Sequence, residues 1–383
     1  MSVGNIGARA TTTKIGGWTL VDFTTVGSTT WSVPSGITVI NAMLLGGGGG
    51  GGGAAFENGT SNGDTSGGGG GGGGGILLLQ NINTAYLSKY SKSLPLTIGA
   101  GGSGGAAIST GSNSINAGNA GSVGGTTYLA GFAASGGGGG SPGITNAGNV
   151  QSAGGSGGST FTIVEPTAIV DPTSQSETIE IFNILLNESA LTSADYLSLS
   201  GAAGGGSGTS NRVTTRSYTD ASPGGTPSFT GAWAGVNLFT FASSGIVGTG
   251  TASTQANSRP SGNTAVYTSV GGSTTTGFAG GGGGGGCCNN GQVGTTNSNA
   301  NVTCTRGATG SWGGGAGQGA QYANGTALSS YVFTSTGLNG AANTGGGGGG
   351  AGSTASNSSF TSVTAPGGGN GGSGRIKIGR AHV

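Results

Sequence analysis

The side chains able to do acid–base or covalent chemistry are few in this sequence. One histidine, His382, stands next to the last residue. Any Ser–His–Asp or Cys–His system would have to use it, and such a base must be held within hydrogen-bond reach of its nucleophile. A position one residue from the end of the sequence suits that poorly, so no catalytic residue is assigned and the chain is read as a non-enzyme. Ten carboxylates could supply the acid pair of a polysaccharide-cleaving spike, which needs two carboxyl groups about 5–9 Å apart. Six of them, Glu165, Asp171, Glu177, Glu180, Glu188 and Asp195, lie in a stretch free of lysine and arginine and read as a solvated face.

Three cysteines are present. Cys287 and Cys288 are adjacent, and Cys304 follows. Either of the pair could bridge Cys304, and a closed loop of about 15 residues would add roughly 3 kcal/mol. All three could equally be reduced, small hydrophobes. No CxxC or Cys/His spacing points to zinc. The sequence Gly-x-Gly-x-x-Gly occurs many times, but any glycine run contains it, and no Gly-Lys-Ser/Thr closes a phosphate loop. No cofactor or metal is expected. Asn58, Asn187, Asn301 and Asn324 open glycosylation-type tripeptides, which an Asn/Ser/Thr-rich chain produces by chance.

Charge is scarce, at 5% of residues with a net of +1, so the density that nucleic acid requires is absent. Arg375, Lys377 and Arg380 form the only tight basic group and read as the solvated face of a terminal strand. The longest aliphatic run, 76–79, is far short of a membrane span, and membrane insertion is not expected. Residues 1–14 carry no apolar signal core, which implies synthesis in the cytoplasm without a signal peptide.

The elements that position these residues are dominated by glycine, 96 of 383 residues. Unbroken runs occupy 46–53, 67–75, 280–286 and 345–350. Such composition often means a flexible linker. An ordered alternative is the three-residue-per-turn extended helix, which makes no internal hydrogen bonds and leaves every N–H and C=O outward. Without side chains, neighbouring helices can approach and bond to one another, satisfying the backbone. Eight residues at about 3.1 Å each span roughly 25 Å. The sequence is read as this packed bundle: a framework without side chains, whose loops carry recognition.

Around the bundle the chain reads as mainly β, with almost no α-helix. Residues 1–45 form an N-terminal β-region, with strand candidates at Trp18–Phe23, 30–33 and 37–45 and a Pro-Ser-Gly turn at 34–36. A closing strand at 374–379 returns to it, and together they make a β-sandwich base. Residues 46–160 form the first half of the glycine bundle and 271–374 the second. Buried strands are expected at 76–79 and 94–98. Between the halves, 161–270 reads as an acidic, β-rich insertion, with an alternating strand at 178–182 and a short helix opening near 193–197. No period of 20–50 residues marks a solenoid.

Binding loops often set aromatics among small polar residues. By that criterion the candidates are Phe56, Glu57 and Asn58, the stretch through Arg306 and Trp312, and Tyr322. Phe229 and Trp233 lie in the insertion.

The order of elements resembles the glycine-rich domain of bacteriophage tail-fibre proteins. The residues that carry the resemblance are Thr30-Trp-Ser-Val-Pro-Ser-Gly-Ile-Thr-Val-Ile40 running through Leu44-Leu45 into glycine, Leu94-Pro-Leu-Thr-Ile-Gly-Ala-Gly-Gly102, Gly124-Gly-Thr-Thr-Tyr128, Ala133-Ala-Ser-Gly-Gly137 and Gly371-Gly-Ser-Gly-Arg-Ile-Lys-Ile378. The resemblance extends to distal adhesins of T-even-like phages, which display variable loops on polyglycine helix bundles. The N-terminal β-region and the acidic insertion depart from that adhesin pattern. The resemblance implies a virion surface protein, a tail fibre or receptor-binding adhesin, released by lysis. Its partners would be a host cell-surface receptor (a glycan or an outer-membrane protein) and other fibre or tail proteins, with a homo-oligomer, a trimer by analogy with fibres. The alternative is a structural subunit of an extracellular filament or a capsid decoration.

Overall fold

The computed structural model describes residues 10–15, 18–58, 64–84, 93–111, 114–129, 132–146, 154–155, 158, 196–199, 201–211, 217–219, 221–222, 224–225, 265–266, 278–289, 303–304, 307–323, 331–332, 334–356 and 362–381. Among these the chain is essentially all β and extended, with almost no helix of the α type.

A β-sandwich closes one end. Its larger sheet has the strand order Ala10–Ile15, Trp18–Phe23, Arg375–Ala381, Val39–Leu45, Ile76–Asn83 and Tyr196–Leu199. Its smaller sheet runs Phe132–Ala134, Thr127–Leu129, Ser93–Ile98 and Gly27–Ser32. Neighbours within both sheets are antiparallel. The facing sides alternate inward residues: Val21, Phe23, Ile376, Ile378, Leu44, Leu77 and Leu79 from one sheet meet Trp31, Leu94, Leu96, Ile98, Leu129 and Phe132 from the other. Burying one such side chain contributes about 1.5–3 kcal/mol. Met43, Leu45, Ile76 and Leu78 alternate with the inward set and are also buried. Burial on both faces is why these strands read as continuous apolar runs.

The expected turn is present. Gly36 has φ +81° and the Ile37 amide donates to the Pro34 carbonyl. That positive φ is the value required at the third residue of a type II turn. The closing strand is Arg375–Ala381, paired between Trp18–Phe23 and Val39–Leu45.

From this base the strands run directly into the glycine bundle. Val39–Leu45 continues into 46–53, and Ser93–Ile98 into 99–106. Other segments run the opposite way, 67–75 into Ile76–Asn83 and 366–374 into Arg375–Ala381. The hydrogen bonds of 46–53 repeat every third residue. Gly46, Gly49 and Gly52 donate to Gly75, Gly72 and Gly69. Gly47, Gly50 and Gly53 donate to Gly125, Ser122 and Asn119, while Gly48 and Gly51 donate to Gly372 and Gly369. All eight amides are bonded at 2.8–2.9 Å. Three other segments donate back into the run, from Gly102 and Gly105, from Gly137, Gly140 and Gly143, and from Gly348 and Ala351. The run therefore has six bonded neighbours, as a three-fold helix in a hexagonal lattice requires.

The runs 67–75, 280–286 and 345–351 are each bonded to six neighbours in the same way. These four form a rhombus at the centre. Around it stand ten outer segments: 99–106, 117–126, 135–143, 201–208, 307–311, 312–320, 334–341, 366–374, and the described parts of 154–158 and 221–225. A Cβ on Gly49 would meet the Gly138 carbonyl, and one on Gly71 the Gly49 carbonyl, both well inside 3.0 Å. Only glycine allows that spacing.

Outer segments have fewer neighbours and carry side chains where no neighbour stands. In 99–106 the exposed residues are Ala100, Ser103 and Ala106, at a spacing of three. In 117–126 the glycines Gly118, Gly121 and Gly124 are the residues turned inward, and Val123 is 71% exposed. Side chains also replace absent neighbours. The Ser103 amide donates to Ser122 Oγ, the Gly104 amide to Asn370 Oδ1, and the Asn370 amide to Asn339 Oδ1, at 2.7–2.9 Å.

Within 161–270 described residues join the sandwich and the bundle. Tyr196–Leu199 is a strand of the sandwich rather than the opening of a helix, and 201–208 is a full member of the bundle. The strand expected at 178–182 lies outside the described residues, as do Phe229 and Trp233.

Candidate functional site

At the end of the bundle opposite the sandwich, the extended helices flow into short strands. Five such strands form one sheet, in the order Ser114–Asn116, Phe56–Asn58, Thr354–Ser356, Gln321–Ala323 and Ala265–Val266. Phe56–Asn58, Thr354–Ser356 and Gln321–Ala323 are mutually parallel because each continues a helix leaving the base. A second sheet holds Thr145–Asn146, Asp64–Thr65, Cys288–Asn289 and Thr303–Cys304, and a third Tyr331–Val332, Ser362–Ala365 and Ile108–Gly111. A hairpin of Thr209–Asn211 and Ser217–Thr219 completes the set.

The register of the five-stranded sheet brings two of the candidates together. Ile115, Glu57, Ala355, Tyr322 and Ala265 are successive partners across it. Glu57 and Tyr322 thus occupy one row, two strands apart, about 10 Å at some 4.8 Å per strand. The adjoining row contains Phe56 and Thr354, both 0% exposed. Phe56 is therefore a packing residue at the end of the bundle, not an exposed contact. Asn58 ends its strand opposite Ser114 and Ser356.

Trp312 is elsewhere. It sits at φ 42°, followed by Gly313 at φ +85°, in the tight turn joining 307–311 to 314–320. Its carbonyl accepts from the Gly280 amide, at the sandwich end of that run, and its side chain is only 8% exposed. It corrects the expectation of a recognition loop: a bulky residue holds the turn at the base. Arg306 and His382 lie outside the described residues.

A second concave surface lies on the wall of the bundle. A groove of about 370 Å³ runs between 99–106 and 334–341, over 366–374, lined by Ser103, Asn339, Asn370 and Ser373 and by bare backbone at Gly101, Gly340 and Gly371. It is uncharged and, apart from Ala342, is lined by hydrogen-bonding side chains and bare glycine backbone.

Among the described residues, an ion pair and a lysine stand at the base. Arg375 Nε donates to Asp22 Oδ1 at 2.7 Å, and its terminal nitrogen bonds Oδ2. Lys377 stands over the Phe278 ring, 6.0 Å from its centre. Burial pushes the Lys377 ammonium below its usual pKa, as does neighbouring Arg375, while Asp22 acts in the opposite direction. The basic trio is thus built partly into the sheet and is not the fully solvated face expected. Among the described residues no group of three His, Cys, Asp or Glu side chains is placed to hold a metal, and no helix is long and apolar enough to cross a membrane.

Fold and site together define a class: an all-β protein in which a polyglycine lattice on a β-sandwich base carries short strands at its far end. Residues 24–235 match the family model described as a glycine-rich domain. The match takes in more than half of the chain, which belongs to that family. No curated protein matches it.

Proposed function

We propose that this protein is a virion surface protein, a phage tail fibre or receptor-binding adhesin, that attaches to a host cell surface through the loop-bearing end of its bundle. The observation that carries the reading is the concentration of short strands at one end of a polyglycine lattice. A loop on a rigid support loses less conformational freedom on binding. The resemblance to phage tail-fibre domains supplies the host-attachment context. The row of Glu57 and Tyr322 is the proposed contact, and a glycan or outer-membrane protein the proposed receptor. Many weak contacts would be multiplied by copy number on the particle.

The test is saturable binding of the purified full chain to candidate host cells, with particle size followed by light scattering in the same buffer. Glu57→Ala with Tyr322→Ala should weaken cell binding at least tenfold without altering size or unfolding midpoint. Val123→Ala, on the bundle wall, should leave binding unchanged. Absence of binding, together with concentration-dependent growth into long particles, would overturn the proposal in favour of a filament subunit.

A further inference from the structure

Cys288–Asn289 is an inner strand of the four-stranded sheet at the end opposite the sandwich, and Thr303–Cys304 is its edge strand. The two are antiparallel, and Cys288 and Cys304 are direct partners in the register. Direct partners in an antiparallel pair stand about 4.5–5.5 Å apart at Cα. Disulfides span Cα separations of about 4.4–6.8 Å. The backbone thus already holds these two residues at bridging distance. Cys287, the alternative by sequence, lies one residue outside the pairing and is buried at the end of 280–286. Successive residues of an extended chain address opposite faces, so only one of the adjacent cysteines shares the position of Cys304.

We propose that Cys288 and Cys304 form a disulfide that links the inner strand of this sheet to its edge strand. On its other side Cys288 is the register partner of Thr65. The bridge therefore ties the edge strand, through Cys288, to a strand that runs directly into the glycine bundle. A two-residue strand pair has few ladder hydrogen bonds, and the covalent link supplies the constraint that the ladder lacks. Formation needs an oxidant, here a low-molecular-weight disulfide such as oxidised glutathione. The two thiols lose two protons and two electrons, one sulfur–sulfur bond forms, and the glutathione disulfide is cleaved to two thiols. This inference does not depend on the proposed function.

The test is intact mass after alkylation. The full chain is equilibrated with oxidised glutathione or with dithiothreitol, denatured, and treated with N-ethylmaleimide. Wild type should take one adduct after oxidation and three after reduction. After oxidation, Cys287→Ser should take none, and Cys288→Ser and Cys304→Ser two each. Three adducts in oxidised wild type, or glutathione left attached at Cys288 or Cys304, would overturn the inference. So would a bridge that survives Cys288→Ser but not Cys287→Ser.

Discussion

Gly71→Ala tests the lattice most directly. Gly71 lies in one of the four central runs. Its amide donates to Gly348 and its carbonyl accepts from Gly282, each at 2.8 Å. Its third side abuts the Gly49 carbonyl, where an added Cβ has no room. Relief requires 46–53 to move by roughly 1 Å, which takes a normal hydrogen bond beyond its useful range. The bonds then at risk are Gly49 N–H to Gly72 and Gly348 N–H to Gly49, both 2.8 Å. Each buried backbone group left unpaired costs about 1–3 kcal/mol, so two give about 2–6 kcal/mol. Alanine recovers about 0.4–1 kcal/mol through its smaller unfolded-state freedom. The expected net loss is about 2–5 kcal/mol, a large part of ordinary domain stability. Urea unfolding measures it, with Ser103→Ala as the exposed control, expected within about 0.5 kcal/mol of wild type. A Gly71→Ala protein with the wild-type midpoint and slope would refute close backbone packing at this position.

Three further outcomes follow from the base and its turns. Arg375→Ala leaves the Asp22 carboxylate, 9% exposed, without its ionic partner and should destabilise the fold by about 2–3 kcal/mol in urea titrations. Asn343, at φ 62°, should accept glycine with little change, whereas Asn343→Val should lose about 1–2 kcal/mol because a branched Cβ disfavours the left-handed region. Lys377 has a folded pKa below its unfolded one, so between those values the unfolded state binds more protons. Its contribution to stability therefore rises as pH rises through that alkaline window. Paired thermal melts of wild type and Lys377→Met should show the stability of wild type relative to the variant increasing there, and a flat difference would contradict the shift.

Much of the framework was legible because glycine content reports directly on coordination. A backbone with six bonded neighbours has no room for a Cβ, so the four longest glycine runs are the four central helices. The apolar strand 76–79 was equally readable because burial on both faces leaves no polar alternation, and 94–98 because Leu94, Leu96 and Ile98 alternate on its buried face. A signal that went unused was the spacing of non-glycine residues in the outer segments. Ala100, Ser103 and Ala106 recur every third position, the period of an extended helix with one open side. The same spacing of glycine at Gly118, Gly121 and Gly124 marks the residues that face the central run 46–53.

The candidate site was only partly readable. Phe56 and Trp312 look alike in sequence, aromatics among small polar residues. One packs beneath a sheet at the far end and the other fills a turn at the base. Neighbouring residues cannot reveal this, because helix direction alternates along the chain and either end can hold a loop. Glu57 and Tyr322 are brought into one row by strands 265 residues apart in sequence. The sequence by itself determined which segments must lack side chains and which must be buried, because those are local demands of sterics and hydrophobicity. Which helix adjoins which, and so which residues meet at the far end, only the tertiary structure decided. A bare glycine backbone offers the same donors and acceptors to every neighbour, and the sandwich strands and turns that anchor each run break that degeneracy.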